Sequence, residues 1–157
     1  MPIALIAAAA LSFAEPIHQQ INFQTSPVAA ARAANVYDAL LDEKQFAAMS
    51  GAPALIDRTE GGTFQLFGGR ITGRILELVP NQRIVEAWRK ESWPKGVFSI
   101  VRFELSQTVN GVTMSFDHWG FPLIDRDTLA DNWPKKYWKP LRQWLSLAGS
   151  IGPEAAK

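Results

Sequence analysis

The feature that most constrains this chain is a change of period at Gly120-Phe121-Pro122. Before it, apolar residues alternate. Val97 to Leu105 places Val101, Phe103 and Leu105 on one face, and Val112 to Trp119 does the same with Val112, Met114, Phe116 and His118. Asn110-Gly111 between them reads as a hairpin turn, because both residues tolerate positive φ. After Pro122 the spacing becomes helical: Leu129, Trp133, Tyr137, Leu141, Leu145 and Ala148 form one stripe, which Trp138 widens. A half-buried hairpin followed directly by a long amphipathic helix points to an α+β layer in which the helix covers the sheet. About 20 helical residues would reach about 30 Å. Asp127 or a neighbour is expected to cap the start, and Pro134 and Pro140 should bend the rod.

The upstream half supplies the rest of the sheet. Ile17 to Gln24 alternates and reads as a first strand. Ser26 and Pro27 suit the cap and first position of a helix running through Val28 to Leu41, with Val36, Tyr37, Leu40 and Leu41 on its apolar face. A second short helix covers Glu43 to Met49 and ends at Gly51 and Pro53. Phe64 to Leu66, then Gly68-Gly69 as a tight connection, Arg70 to Val79, Pro80-Asn81 and Arg83 to Arg89 complete an antiparallel meander. No repeat or linker divides the 157 residues, so one domain is expected over residues 15–149, with a tail at 150–157.

Composition excludes several classes. A net charge of +1 with interspersed signs builds no field for nucleic acid or an anionic membrane. The absence of Cys removes disulfides, thiolate metal sites and a Cys nucleophile. Two separated His make no metal site. Gly68-Gly69 and Gly73 lack the Lys and the strand–loop–helix context of a phosphate loop, and no cofactor is expected. Ile3 to Leu11 is apolar but too short for a bilayer span of roughly 20 residues. Ser12-Phe13-Ala14 before Glu15-Pro16 resembles the end of a secretory signal, although Met1-Pro2 brings no positive charge. Residues 1–14 are thus read either as a signal, giving a periplasmic or secreted protein, or as a frayed arm on a cytoplasmic one.

Local wording carries a family resemblance. Val36-Tyr37-Asp38-Ala39-Leu40, Glu60-Gly61-Gly62-Thr63-Phe64 and Phe67-Gly68-Gly69-Arg70-Ile71-Thr72-Gly73 are characteristic. So are Arg83-Ile84-Val85-Glu86-Ala87-Trp88-Arg89, Trp93-Pro94, His118-Trp119-Gly120-Phe121-Pro122 and Tyr137-Trp138-Lys139-Pro140-Leu141. From Ile17 to Leu147 the chain resembles bacterial domains related to the C-terminal domain of the Hsp90 ATPase activator, within the START and Bet v 1-like superfamily. The resemblance implies a helix-grip fold: a curved antiparallel sheet wrapped around a long C-terminal helix, with two short helices after the first strand. Two departures stand out. An Ala-rich insert, Val28 to Asn35, is expected to add nearly two helical turns while keeping Val36 and Leu40 inward. Pro134 stands where these proteins often carry His.

The superfamily commonly holds a cavity between sheet and last helix. The candidates to line it are Phe64, Leu66, Trp88, Val101, Phe103, Phe116 and His118 from the strands, and Trp133, Tyr137, Trp138 and Leu141 from the helix. The competing reading is that they fill a solid core. In a cavity, the polar ends of Trp88, Tyr137 and His118 would orient a ligand. His118 is read as satisfied by a backbone carbonyl near a turn rather than as a general base, and Asp117 points to the opposite face. Lys135, Lys136, Lys139 and Arg142 form a basic edge, read as a solvated face, with an acidic partner as the alternative. The expected function is binding of a small hydrophobic or aromatic molecule, without catalysis. The alternatives are a co-chaperone-like contact with Hsp90 that stimulates its ATPase, and a cyclase or lyase on the same superfold. The eukaryotic activators resembled carry an additional N-terminal domain, for which these residues leave no room.

Overall fold

A computed structural model describes residues 14–24 and 31–148. Alternation becomes seven strands: β1 (Ile17–Phe23), β2 (Leu55–Ile56), β3 (Thr63–Leu66), β4 (Ile71–Val79), β5 (Arg83–Lys90), β6 (Ser99–Thr108) and β7 (Gly111–Trp119). All pairs are antiparallel, in the order β1-β7-β6-β5-β4-β3-β2. The chain therefore returns β7 beside β1, pairing Ile17 with His118 and Phe23 with Val112. A bulge between Ile75 and Glu77 bends β4. The bend also needs Gly73: a Cβ there would lie 2.0 Å from the Ala87 carbonyl oxygen and 2.4 Å from the Phe64 ring.

Helices α1 (Ala33–Leu41) and α2 (Glu43–Ser50) follow β1. Asp42 caps α2, accepting from the Gln45 N–H at 2.8 Å, and Gly51 ends it at φ 72°. The proposed cap at Ser26-Pro27 lies outside the described residues. The long helix expected from there is shorter, since Arg32 is extended (φ −105°, ψ 139°) and α1 starts at Ala33. The reason lies on β6. The Gln107 side chain accepts from the Ala33 N–H at 2.8 Å and donates to the Ala31 carbonyl at 3.0 Å, holding the entry open and capping the helix from outside. Val36 and Leu40 still face inward.

The Asn110-Gly111 turn is also displaced by one residue. Thr108 pairs with Gly111, so Val109 and Asn110 form the turn, and neither has positive φ. The Thr108 hydroxyl organises it, accepting from the Asn110 N–H at 3.3 Å and donating to the Gly111 carbonyl at 3.0 Å. Gly111 is needed for another reason, because a Cβ would lie 2.1 Å from the Phe23 carbonyl oxygen of β1.

The C-terminal rod comprises α3 (Arg126–Trp133), a π turn (Pro134–Trp138) and α4 (Lys139–Ala148). Asp127 does not cap α3; Asp125 precedes it, and its carboxylate instead binds Lys90 Nζ (2.8 Å) and Trp93 Nε1 (2.5 Å). Pro134 cannot donate to the Ala130 carbonyl one turn back. Gln19 of β1 takes that acceptor at 3.3 Å, and its Oε1 accepts from Trp138 Nε1 at 2.7 Å. One side chain thus bridges the break. The wider turn closes with the Lys139 N–H on the Pro134 carbonyl and brings Trp133, Tyr137, Trp138 and Leu141 all inward. The side chain of Ala148 lies outside the described residues.

Candidate functional site

Between rod and sheet, aromatic rings pack closely on one another. Trp133 lies at its centre, with ring centroids 4.2 Å from Tyr137, 4.3 Å from Phe116, 5.5 Å from Trp138 and 5.6 Å from Trp88. Phe103 packs 5.3 Å from Phe116. Aromatic pairs at these separations fill space that a ligand would otherwise occupy. Phe64, Leu66, Val101, Phe103, Phe116, His118, Trp138 and Leu141 are buried in this packing. None of these eight borders the open space described next.

That space is a cleft of about 960 Å³ at one end of the interior. One wall is the turn from Phe67 to Arg70, together with Ile71 and Lys90, which pair where β4 and β5 meet. A second is the chain leaving α2, through Ser50, Ala52 and Pro53. The third is the rod, through Leu129, Trp133, Lys135, Lys136 and Tyr137. Of the cavity candidates named from sequence, Trp88, Trp133 and Tyr137 meet here, joined by Lys135 and Lys136 of the basic edge. Phe67, Ile71 and Leu129 were missed. Leu129 belongs to the helical stripe, one turn before Trp133, and Phe67 stands directly before the double glycine; both positions could have been found.

Polar groups sit beneath the cleft. His118 is sealed, but its partners are side chains rather than the expected backbone carbonyl. Trp133 Nε1 donates to Nδ1 at 3.1 Å, so Nε2 carries the proton toward Ser99 Oγ at 2.7 Å, and the Ser99 hydroxyl donates to the Trp88 carbonyl at 3.0 Å. Burial pushes the His118 pKa down to about 3, which keeps the ring neutral. The polarity is wrong for activating a serine: the imidazole donates to Ser99 instead of accepting from it, and both residues are buried. Trp88 Nε1 and the Tyr137 hydroxyl are near neighbours, yet each is buried without a partner at hydrogen-bonding geometry. Glu86, inward on β5, is also buried, and burial pushes its pKa up to about 8.

A seven-stranded antiparallel sheet gripping a C-terminal rod, with two short helices after β1, defines a helix-grip domain. Comparison of sequences then fixes the family: a model described as Activator of Hsp90 ATPase homolog 1-like protein matches residues 30–146, and the chain belongs to this family. It is 32% identical over 112 residues to an uncharacterised protein of Schizosaccharomyces pombe, covering 71% of this chain and 33% of that protein. It is 26% identical over 130 residues to the human activator of 90 kDa heat shock protein ATPase homolog 1, covering 83% and 37%. The chain thus spans about a third of the length of the curated relatives it matches. Among solved structures, an Hsp90 activator of Plasmodium falciparum superposes with a TM-score of 0.68 at 20% identity, covering 84% of this chain and 95% of that one. CalU16 of Micromonospora echinospora gives 0.65 at 22%, covering 88% and 76%. At these identities the likeness is one of fold.

Proposed function

We propose that this protein is a binding module that takes a small apolar or aromatic molecule into the cleft beside the π turn. The observation that carries this reading is the cleft floor, where Phe67, Ile71, Trp88, Leu129, Trp133 and Tyr137 meet around a volume of the size usual for small-ligand sites. The backbone of Phe67 supports it. This residue adopts φ 53°, a conformation that costs a non-glycine residue of order 1–3 kcal/mol and that concentrates at ligand clamps. There it holds its ring edge-on to Tyr137 at 5.4 Å and to Phe46 at 5.6 Å, forming one wall. The sealed, reversed Ser99–His118 pair favours binding over catalysis.

N-phenyl-1-naphthylamine, a neutral flat probe, tests this. Its emission should rise with the protein, Trp emission should fall, and the melting temperature should increase through linkage. Ala52→Trp, which places an indole in the mouth, should remove binding while leaving the urea midpoint nearly unchanged. A probe that stays dark, with no thermal shift across a collection of apolar fragments, would end the reading.

A contact with an Hsp90-type chaperone is the second reading. It is supported by family membership and by the names of its relatives, activators of the 90 kDa heat shock protein ATPase. The ATPase rate of the host's Hsp90-type chaperone, measured with and without this protein, decides it; an unchanged rate with no complex by sedimentation ends it.

A further inference from the structure

The rim of the cleft has a chemistry that an apolar ligand does not need. Arg70, Lys90, Lys135 and Lys136 line it, against Glu91. Lys90 is held by Asp125 at 2.8 Å. Arg70, Lys135 and Lys136 form no ion pair with any described residue, whereas Arg83 and Arg102 on the sheet are matched to Glu77, Glu104 and Asp117. The three free cations come from different walls: Arg70 from the turn before β4, the two lysines from the π turn. Beneath them, the Trp88 indole N–H and the Tyr137 hydroxyl lie side by side at the buried end of the cleft, at 3% and 4% exposure.

Resting on the cleft as the binding site, we infer that its ligand is a small organic anion. Its flat apolar body lies on the Phe67–Trp133–Tyr137 floor, and its single carboxylate, sulfonate or phosphate group sits between Arg70, Lys135 and Lys136. The basic edge of the rod is then divided by role: Lys135 and Lys136 face the ligand, while Arg142 lies over the Phe23 ring at 5.7 Å and has no part in the site. Charge at the mouth also selects against a neutral hydrocarbon of the same shape, which gains nothing from the rim.

The matched pair 1-anilinonaphthalene-8-sulfonate and N-phenyl-1-naphthylamine isolates the charge, since they share the ring system and differ by the sulfonate. The sulfonate should bind about tenfold tighter or better at low salt, and 0.5 M NaCl should weaken it while leaving the neutral probe nearly unmoved. Lys135→Glu combined with Lys136→Glu should weaken the sulfonate about tenfold and shift the neutral probe by less than about twofold. Arg70→Glu, from the opposite wall, should act the same way. All three side chains are exposed, so folding should persist, and urea melts verify it. Equal affinities for the two probes, or a reversal that weakens both alike, overturns the anion while leaving the cleft a binding site. If neither probe binds, the cleft reading falls and this inference with it.

Discussion

Glu86→Gln offers the sharpest test of the interior. Alternation along β5 turns Ile84, Glu86 and Trp88 inward, and the cross-strand neighbours of Glu86 are Ile75 and Val101. Its carboxyl makes no hydrogen bond with a described residue, so nothing compensates a charge there. Burial therefore pushes its pKa from 4.5 to about 8. A carboxyl raised in this way keeps a proton that the unfolded chain releases, so stability is full below pH 4.5 and drains away as pH rises toward 8. At 1.36 kcal/mol per unit, the loss between pH 5 and pH 7 is about 2–3 kcal/mol. Glutamine has the shape of the neutral acid and no proton to lose. Urea melts should show wild type and Glu86→Gln close together at pH 5, and the variant ahead by about 2–3 kcal/mol more at pH 7. Taking the difference cancels groups common to both, including His118, whose depressed pKa removes stability in the opposite direction, as pH falls below 6.5. A gap that stays constant from pH 5 to pH 8.5 would refute the reasoning, because it would mean that the carboxyl ionises inside the fold without penalty.

Three further outcomes follow from the packing. Gln19→Ala should cost about 1–3 kcal/mol in urea melts, since it strands the Ala130 carbonyl and the Trp138 indole together; a loss below about 0.5 kcal/mol would mean that the rod satisfies itself. Leu141→Ala, fully buried under the sheet, should cost about 2–5 kcal/mol, and exposed Lys139→Ala less than about 0.5, so equal losses would invert the assigned faces. Phe103→Trp should destabilise by about 1–3 kcal/mol through overpacking and leave probe affinity in the cleft unchanged, because Phe103 lies in the filled interior; weaker binding without destabilisation would show that the interior opens to ligand.

Much of this architecture was legible because burial writes itself into period. Val101, Phe103 and Leu105, and opposite them Met114, Phe116 and His118, alternate as strands with one wet face must, and all are buried. What escaped was set by partners distant in sequence. Local propensity gives α1 an early start, and Gln107, 74 residues away, moves it to Ala33. Asn110-Gly111 carries the usual turn residues, yet the Thr108 hydroxyl and the close approach of β1 decide the register. His118 needed partners, and spacing could not reveal that Ser99 and Trp133 would supply both. Inward-facing aromatic residues were visible, but whether they surround a void or fill it depends on ring orientations that no periodicity encodes.

The placement of the open space has a local cause in Pro134. In an unbroken α-helix the adjacent Tyr137 and Trp138 would point about 100° apart, too far to share one narrow inward stripe. The wide turn starts at Pro134, which leaves the Ala130 carbonyl without an intrahelical donor, and across it both rings are buried and pack around Trp133. The same wide turn carries exposed Lys135 and Lys136, which line the cleft together with Arg70. Its cost in hydrogen bonds is met by Gln19, whose amide spans the Ala130 carbonyl and the Trp138 indole.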